Sequence, residues 1–283
     1  MKIATYNVNG VNGRLPVLLR WLELAEPDIV CLQELKAPDE SFPQKAIRDA
    51  GYEAVWHGQS RWNGVAIISR IGEIHETRRG LPGHPADDQS RYIEAAVNGV
   101  LVCGFYLPNG NPRPGPKFDY KLRWFERLQG HLATLIDLEA PVVCLGDFNA
   151  MPTDLDVYAP ERWRDDALFA PEIRAAYVRL LDQGWTDAVR ALHPDETIYT
   201  FWKYWRGAFE RNAGLRIDHA LLNAVAANRL VAADVDTRPR GWEKTSDHAP
   251  MCIELAERDV ARKRAGPQGN PRLSPHPVGF SPL

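Results

Sequence analysis

The sequence predicts an α/β protein built on mixed, mostly antiparallel sheets with covering helices. Two patterns carry that prediction. At 2–32 and again at 100–149, apolar strand-like runs alternate with amphipathic helical periods. Between them, from 52 to 106, strand follows strand with no helix, and Asn98-Gly99 is a strong hairpin signal. Crossover and hairpin connections in one chain call for sheets of both senses faced by helices.

Lys2 to Tyr6 reads as a first strand, ending at the turn-rich Asn7-Val8-Asn9-Gly10. Leu15, Leu18, Leu19 and Leu22 recur at helical spacing, with Pro16 in the first turn, and predict a helix over 14–24. Asp28 to Leu32 is a buried strand running into Gln33-Glu34, and a helix is expected near 41–50, before Gly51. Strands follow at 52–57, 63–69, 73–78, 91–97 and 100–106, the first two joined by Gly58-Gln59-Ser60. After a Pro- and Gly-rich loop, a long helix is expected over 117–138, with Leu122, Phe125, Leu128, Leu132, Leu135 and Ile136 on its apolar face. The segment 141–149 holds a strand, 171–182 a helix stopped by Gly184, and 185–192 a further helical turn or two. Strands are expected at 217–222, 229–236 and 250–255. From Ala261 onward Pro, Gly and Arg dominate and no apolar period survives, so 1–257 is read as the folded domain and 258–283 as a disordered basic tail.

At 283 residues, with 45% apolar and 25% charged side chains, the chain can bury a large core. Its net charge of −3 gives no global basic field. From Glu257 to Leu283, however, five basic residues face two acidic ones, so the body is more acidic than the whole. Cys31, Cys103, Cys144 and Cys252 each lie inside an apolar run, in neither a zinc nor a disulfide spacing. Reduced buried thiols, no export signal and no membrane-length apolar run predict a cytoplasmic protein.

The chemistry gathers where strands end. In Cys144-Leu145-Gly146-Asp147-Phe148-Asn149, an apolar strand reaches a glycine, where a chain turns or closely approaches something. A carboxylate and a carboxamide then alternate. On extended backbone the two share a face, whereas Asp, Asn and Gly together are also ordinary turn residues. Asn7, Glu34, Tyr106, Asp218, Asp247 and His248 sit at or just beyond other strand ends. A Glu closing an apolar strand is costly to desolvate unless something positive meets it. Carboxylates, amides, a phenol and an imidazole are what hard-cation phosphodiester hydrolysis requires. A donor set of oxygens favours Mg²⁺ or Mn²⁺ over zinc, and an Asp–His pair can tune proton transfer.

Six segments in order resemble the motifs of the exonuclease III family of abasic-site endonucleases, part of the DNase I-like endonuclease/exonuclease/phosphatase superfamily. They are Asn7-Val8-Asn9-Gly10, Leu32-Gln33-Glu34, Tyr106-Leu107-Pro108-Asn109-Gly110, Gly146-Asp147-Phe148-Asn149, Leu215-Arg216-Ile217-Asp218 and Ser246-Asp247-His248. The resemblance spans about 1 to 256 and implies a four-layer α/β sandwich, two sheets face to face with helices outside. It implies a Mg²⁺-dependent DNA-repair nuclease, with Mn²⁺ able to substitute. Such an enzyme cuts 5′ to abasic sites and trims 3′ ends as exonuclease and 3′-phosphodiesterase. Double-stranded DNA with abasic sites or 3′ ends is the implied partner of a monomer that needs no membrane and no other protein.

Carried over residue by residue, the resemblance makes Tyr106, Asp147, Asn149, Asp218 and His248 catalytic. It gives a metal set of Asn7, Glu34, Asp147, Asn149 and Asp247, with Glu34 the principal ligand. His248 is expected to pair with Asp247, and either Asp147 or His248 serves as general base. His219, where the family commonly has a bulkier apolar or aromatic residue, is expected to be structural. Phe201, Leu215 and Ile217 are implied to line an apolar pocket for a flipped-out sugar lacking its base. Trp205 and Arg206, with Arg211 and Arg216 near in sequence, would fill the duplex gap or follow its backbone. Arg113 and Lys117 are expected to contact phosphates. The rival readings are a superfamily phosphatase or other phosphodiesterase acting on a non-DNA substrate, and a binding module that has kept the scaffold. The aromatic and basic segment before Asp218 weighs against the first. The full carboxylate set weighs against the second.

Overall fold

The computed structural model describes residues 1–257, so the expected tail at 258–283 lies outside the described residues. Strand β1 (Lys2–Asn7), helix α1 (Leu15–Ala25) and strand β2 (Ile29–Gln33) form a crossover, with β1 and β2 parallel. Helix α2 (Gln44–Asp49), β3 (Glu53–His57) and β4 (Val65–Ser69) follow, then β5 (Ile74–Arg79), β6 (Tyr92–Val97) and β7 (Val100–Tyr106). Helix α3 (Pro116–Leu132) crosses over to β8 (Val142–Asp147), parallel to β7. The rest is α4 (Pro171–Asp182), β9 (Thr186–Asp187), α5 (Ala188–Leu192), β10 (Asp218–Leu222), α6 (Ala224–Ala227), β11 (Leu230–Val235) and β12 (Met251–Leu255).

Two six-stranded sheets result, in the orders β11-β12-β1-β2-β4-β3 and β5-β6-β7-β8-β10-β9. Each has one parallel pair at its centre and antiparallel pairs elsewhere, so the halves repeat one topology. Strand alternation explains the layers. Ile3, Ile29, Cys31, Val143, Leu145 and Ala220 meet between the sheets. Their neighbours Ala4, Tyr6, Val30 and Leu32 pack on Leu18 and Trp21 of α1, and Cys103, Phe105 and Cys144 pack on Trp124, Phe125 and Leu128 of α3. Each such large apolar side chain, buried, contributes roughly 1.5–3 kcal/mol. The outcome is the four-layer sandwich, with four free, buried cysteines.

Three expectations need revision. The helix near 41–50 divides: Asp39–Ser41 is a 3-10 turn, and α2 begins only after Pro43, which cannot donate in a helix interior. Helix α3 stops at Leu132, not 138. The Thr134 hydroxyl donates to His131 O at 2.7 Å, and the next backbone bonds tighten to three-residue turns. Residues 186–187, expected to be helical, form β9, and Asp187 caps α5 by accepting from Val189 N and Arg190 N.

Gly146 lies within β8, not at a turn. A Cβ there would stand 1.9 Å from Phe105 O, so only glycine lets β8 pair with β7 at this point.

Candidate active site

The topology brings the polar strand ends to one rim. Strands β1 and β2 end there and the antiparallel β12 begins there. In the other sheet β7 and β8 end there and β10 begins. A cavity of about 310 Å³ opens at this rim, lined by Glu34, Tyr106, Asp147, Asn149, Asp247 and His248, with Phe201, Leu215 and Ile217 as its apolar wall. A groove of about 780 Å³ adjoins it beyond Tyr106 and includes Arg91, Trp62 and Lys117.

Asn7 Nδ2 donates to Glu34 Oε1 at 3.0 Å and to Asp147 Oδ2 at 2.9 Å, tying the two sheets' carboxylates together. Its Oδ1 accepts from Asn9 N at 3.0 Å, so Asn7 is fixed in place and orients the two carboxylates. Glu34 follows β2 with φ 52° and is bridged by Lys36 Nζ at 2.8 Å. Burial opposes its charge, but Lys36 and the Asn7 amide outweigh burial and hold its carboxyl below the ordinary range.

His248 Nδ1 lies 2.8 Å from Asp218 Oδ2, and its Nε2 lies 3.7 Å from Asp147 Oδ2. The expected pairing with Asp247 does not form. Neighbours in an extended chain point apart, and Asp247 Oδ1 accepts instead from Asn9 Nδ2 at 3.0 Å. Burial disfavours the imidazolium, yet Asp218, Asp147 and Asp247 outweigh it and raise His248 to about 10. For Asp147, burial together with the carboxylates of Asp218 and Glu34 overcomes the pull of His248 and raises the group to about 7. Burial, Glu34 and Asp147 also push the Tyr106 phenol well up, so it stays a neutral donor.

The backbone leaves β8 by a turn. Asn149 adopts φ 46°, and its N–H donates to Asp147 Oδ1 at 2.8 Å. The turn reading and the site reading of this segment therefore hold together. Asn149 Nδ2 donates to Leu107 O at 2.9 Å, and its Oδ1 accepts from Asn109 Nδ2 at 3.2 Å.

The donor set fits a hard divalent cation. Glu34, Asp147 and Asp247 supply carboxylate oxygens to the cavity, and behind them Asp218 Oδ1 is buried without a hydrogen-bond partner. Asp147, Asp218 and His248 each present an atom within 4.8 Å of the others.

The expected DNA-contact residues divide. Phe201 packs edge-on to His248, with ring centroids 5.0 Å apart, and Leu215 and Ile217 are buried beside Leu168 and Phe169. Trp205, 59% exposed, and Arg206 stand outside the cavity, and Lys203 on its edge lies between Trp163 and Trp205. Lys117 is exposed along the adjoining groove. Arg113 is engaged within the protein, donating to Asp165 O and Arg164 O and meeting Glu172 at 3.3 Å. Arg216 is fully buried between Asp156 and Asp187, so it is not available to a duplex. His219 is buried on the opposite face of β10, donating from Nε2 to Ala150 O at 2.9 Å, as a structural residue should. The site also includes Asn9, Lys36 and Asn109. Asn9 and Asn109 lie inside the motifs quoted above, but their partners are set only by tertiary contact.

Residues 4–248 match the model of the endonuclease/exonuclease/phosphatase family. The chain belongs to the endonuclease/exonuclease/phosphatase family. Among relatives of this family, it is 36% identical to exodeoxyribonuclease III of Haemophilus influenzae, over 90% of this chain and all of that one. It superposes on a 3′-5′ exonuclease from Neisseria meningitidis with a TM-score of 0.88 at 41% identity, covering 91% of this chain and 100% of that one. An AP endonuclease from Archaeoglobus fulgidus gives 0.87 at 38% identity, covering 90% and 99%. Among the described residues, no helix is long and apolar enough to cross a membrane.

Proposed function

We propose that this protein is a Mg²⁺-dependent DNA-repair nuclease of the exodeoxyribonuclease III type, hydrolysing phosphodiesters 5′ to abasic sites and from 3′ ends. One observation carries the reading: Glu34, Asp147 and His248 converge in one rim cavity walled by Phe201, Leu215 and Ile217, with Asp218 buried behind His248 at 2.8 Å. Relatives named for this chemistry cover nearly the whole chain.

Glu34 and Asp147, oriented by Asn7, would hold the ion, with Asp247 beside them on the cavity wall. A bound Mg²⁺ neutralises phosphate oxygens as charge builds on them. Asp147, held by the Asn7 amide and by Asn149 N, lies where it can accept the proton of the attacking water. His248, near 10, is charged at neutral pH, and Asp218 fixes its ring, so it serves as a donor to a phosphate oxygen and not as the base. Asn149 keeps one amide hydrogen beyond its bond to Leu107 O, and with the Tyr106 hydroxyl it stabilises the pentavalent phosphorus. The apolar wall accepts a sugar that carries no base, while Trp205, Arg206 and Lys117 lie outside it on the duplex side. Buried reduced thiols suit a reducing compartment such as the cytosol.

A labelled duplex with a single abasic analogue, incubated in Mg²⁺ or in EDTA, tests this reading. Cleavage 5′ to the analogue in Mg²⁺ alone, or removal of a 3′-phosphate, supports it. Hydrolysis of inositol phosphates with the duplex left intact contradicts it.

A further inference from the structure

Lys121, on the inner face of α3, is fully buried. Among the described residues it shares that state, for a cationic side chain, with Arg216. Arg216 is neutralised by two carboxylates, whereas no carboxylate lies within 4.0 Å of Lys121. Its ammonium donates to two backbone carbonyls instead, Asn109 O at 2.9 Å and Asn149 O at 2.6 Å. These carbonyls belong to the two loops that leave β7 and β8 for the site. The loops meet elsewhere through Leu107 N to Asp147 O at 2.9 Å and through the Asn109–Asn149 amide pair. Gly110 is shaped to the lysine stem, because a Cβ there would stand 2.6 Å from Lys121 Cδ.

A methionine of similar length would fill the same space with no ion to desolvate. What it would lack is the clamp on the left-handed turn at Asn149. We infer that Lys121 is a positioning residue for the phosphodiesterase reaction, pinning the β7 and β8 exit loops so that the Asn149 amide meets the scissile phosphate in a fixed orientation.

This inference rests on the nuclease reading above. Single-turnover and steady-state cleavage of the abasic duplex in Mg²⁺ by wild type, K121M and K121R tests it. A misplaced transition-state donor costs about 10²-fold in rate. K121M is therefore expected to lower kcat by about 10²-fold with KM within about threefold, at an assay temperature where the variant is still fully folded, since the unpaired Asn149 carbonyl will lower its melting temperature by some degrees. K121R, which keeps donors, is expected to recover roughly a tenfold share of that loss. The side-chain amide resonances of Asn149 should shift in K121M and return toward wild type in K121R. If K121M does not fold, K121Q carries the same test with an uncharged donor. A kcat within threefold of wild type, or a fall in kcat with the Asn149 amide resonances unmoved, overturns the inference. A wild-type enzyme inert on every DNA substrate would refute the nuclease reading, whereas an active wild type with an unaffected K121M refutes only the role of Lys121.

Discussion

Strand β10 separates two buried clusters that look alike in composition and differ in charge balance. On one face Asp218 joins Asp147 and His248. On the other His219 joins Asp156, Asp187 and Arg216. In the second cluster Arg216 Nε reaches Asp156 at 2.7 Å and Nη1 reaches Asp187 at 2.9 Å. Burial opposes both carboxylates, and Arg216 outweighs it, so both lie below the ordinary carboxylate range. Burial and Arg216 together lower His219 to about 4, leaving it neutral. The first cluster has no arginine, and Asp147 is held up at about 7. An interior that compensates its own acids is scaffold, whereas one that leaves acids under-compensated at an opening is prepared for a cation or a proton.

Substitutions in the two clusters should have opposite consequences. D147A should lower abasic-site cleavage by about 10³-fold or more while the chain remains folded, since it removes the base and an ion ligand together. Unchanged cleavage would remove Asp147 from the chemistry. R216A should do the reverse. Stripping the cation from two buried carboxylates costs about 3–5 kcal/mol of unfolding free energy, read from urea denaturation, with the specific activity of the molecules that remain folded largely kept.

A pH series separates the clusters further. Asp147 is raised in the folded state, so its contribution to stability is full below the unfolded pKa and is lost as pH rises through about 7. D147N removes that loss. The variant should be more stable than wild type above pH 7, by up to about 4 kcal/mol, since each tenfold difference in proton affinity between the folded and unfolded chains is worth roughly 1.4 kcal/mol. It should show no advantage near pH 4. Asp156 and Asp187 are lowered, so their stability is present above the unfolded pKa and fades as pH falls through their folded values. An advantage of D147N that persists at pH 4 would assign it to packing.

These two clusters also mark how far the sequence alone can be read. Glu34 and Asp147 were legible because each closes an apolar strand, where a bare carboxylate needs a reason. The mixture of parallel and antiparallel pairing was legible because the crossover at β1-α1-β2 and the hairpin at Asn98-Gly99 carry different periodicities, whereas the four-layer order followed from the family resemblance. The partner of His248 was not legible, since chain adjacency favours Asp247 while the fold lays Asp218 across from it. Arg216 seemed a DNA contact for the same reason: nearness to Arg206 and Arg211 along the chain hides the alternation that turns it inward. The acceptors that hold Arg113, at 164 and 165, were not legible either, because they belong to a distant loop. Lys121 left a usable trace, a lysine three and four residues from Phe118 and Phe125 on the apolar stripe of α3.

If the rim carboxylates are held for a divalent cation, that ion must stabilise the fold through them. A Mg²⁺ titration followed by thermal melting, run on wild type and D147N in parallel at pH 7.5, reads this out. Wild type should gain about 2.7 kcal/mol at a hundred times Kd, and D147N should gain much less. Equal stabilisation of the two proteins, or none in wild type, would rule out a cation site built on Asp147.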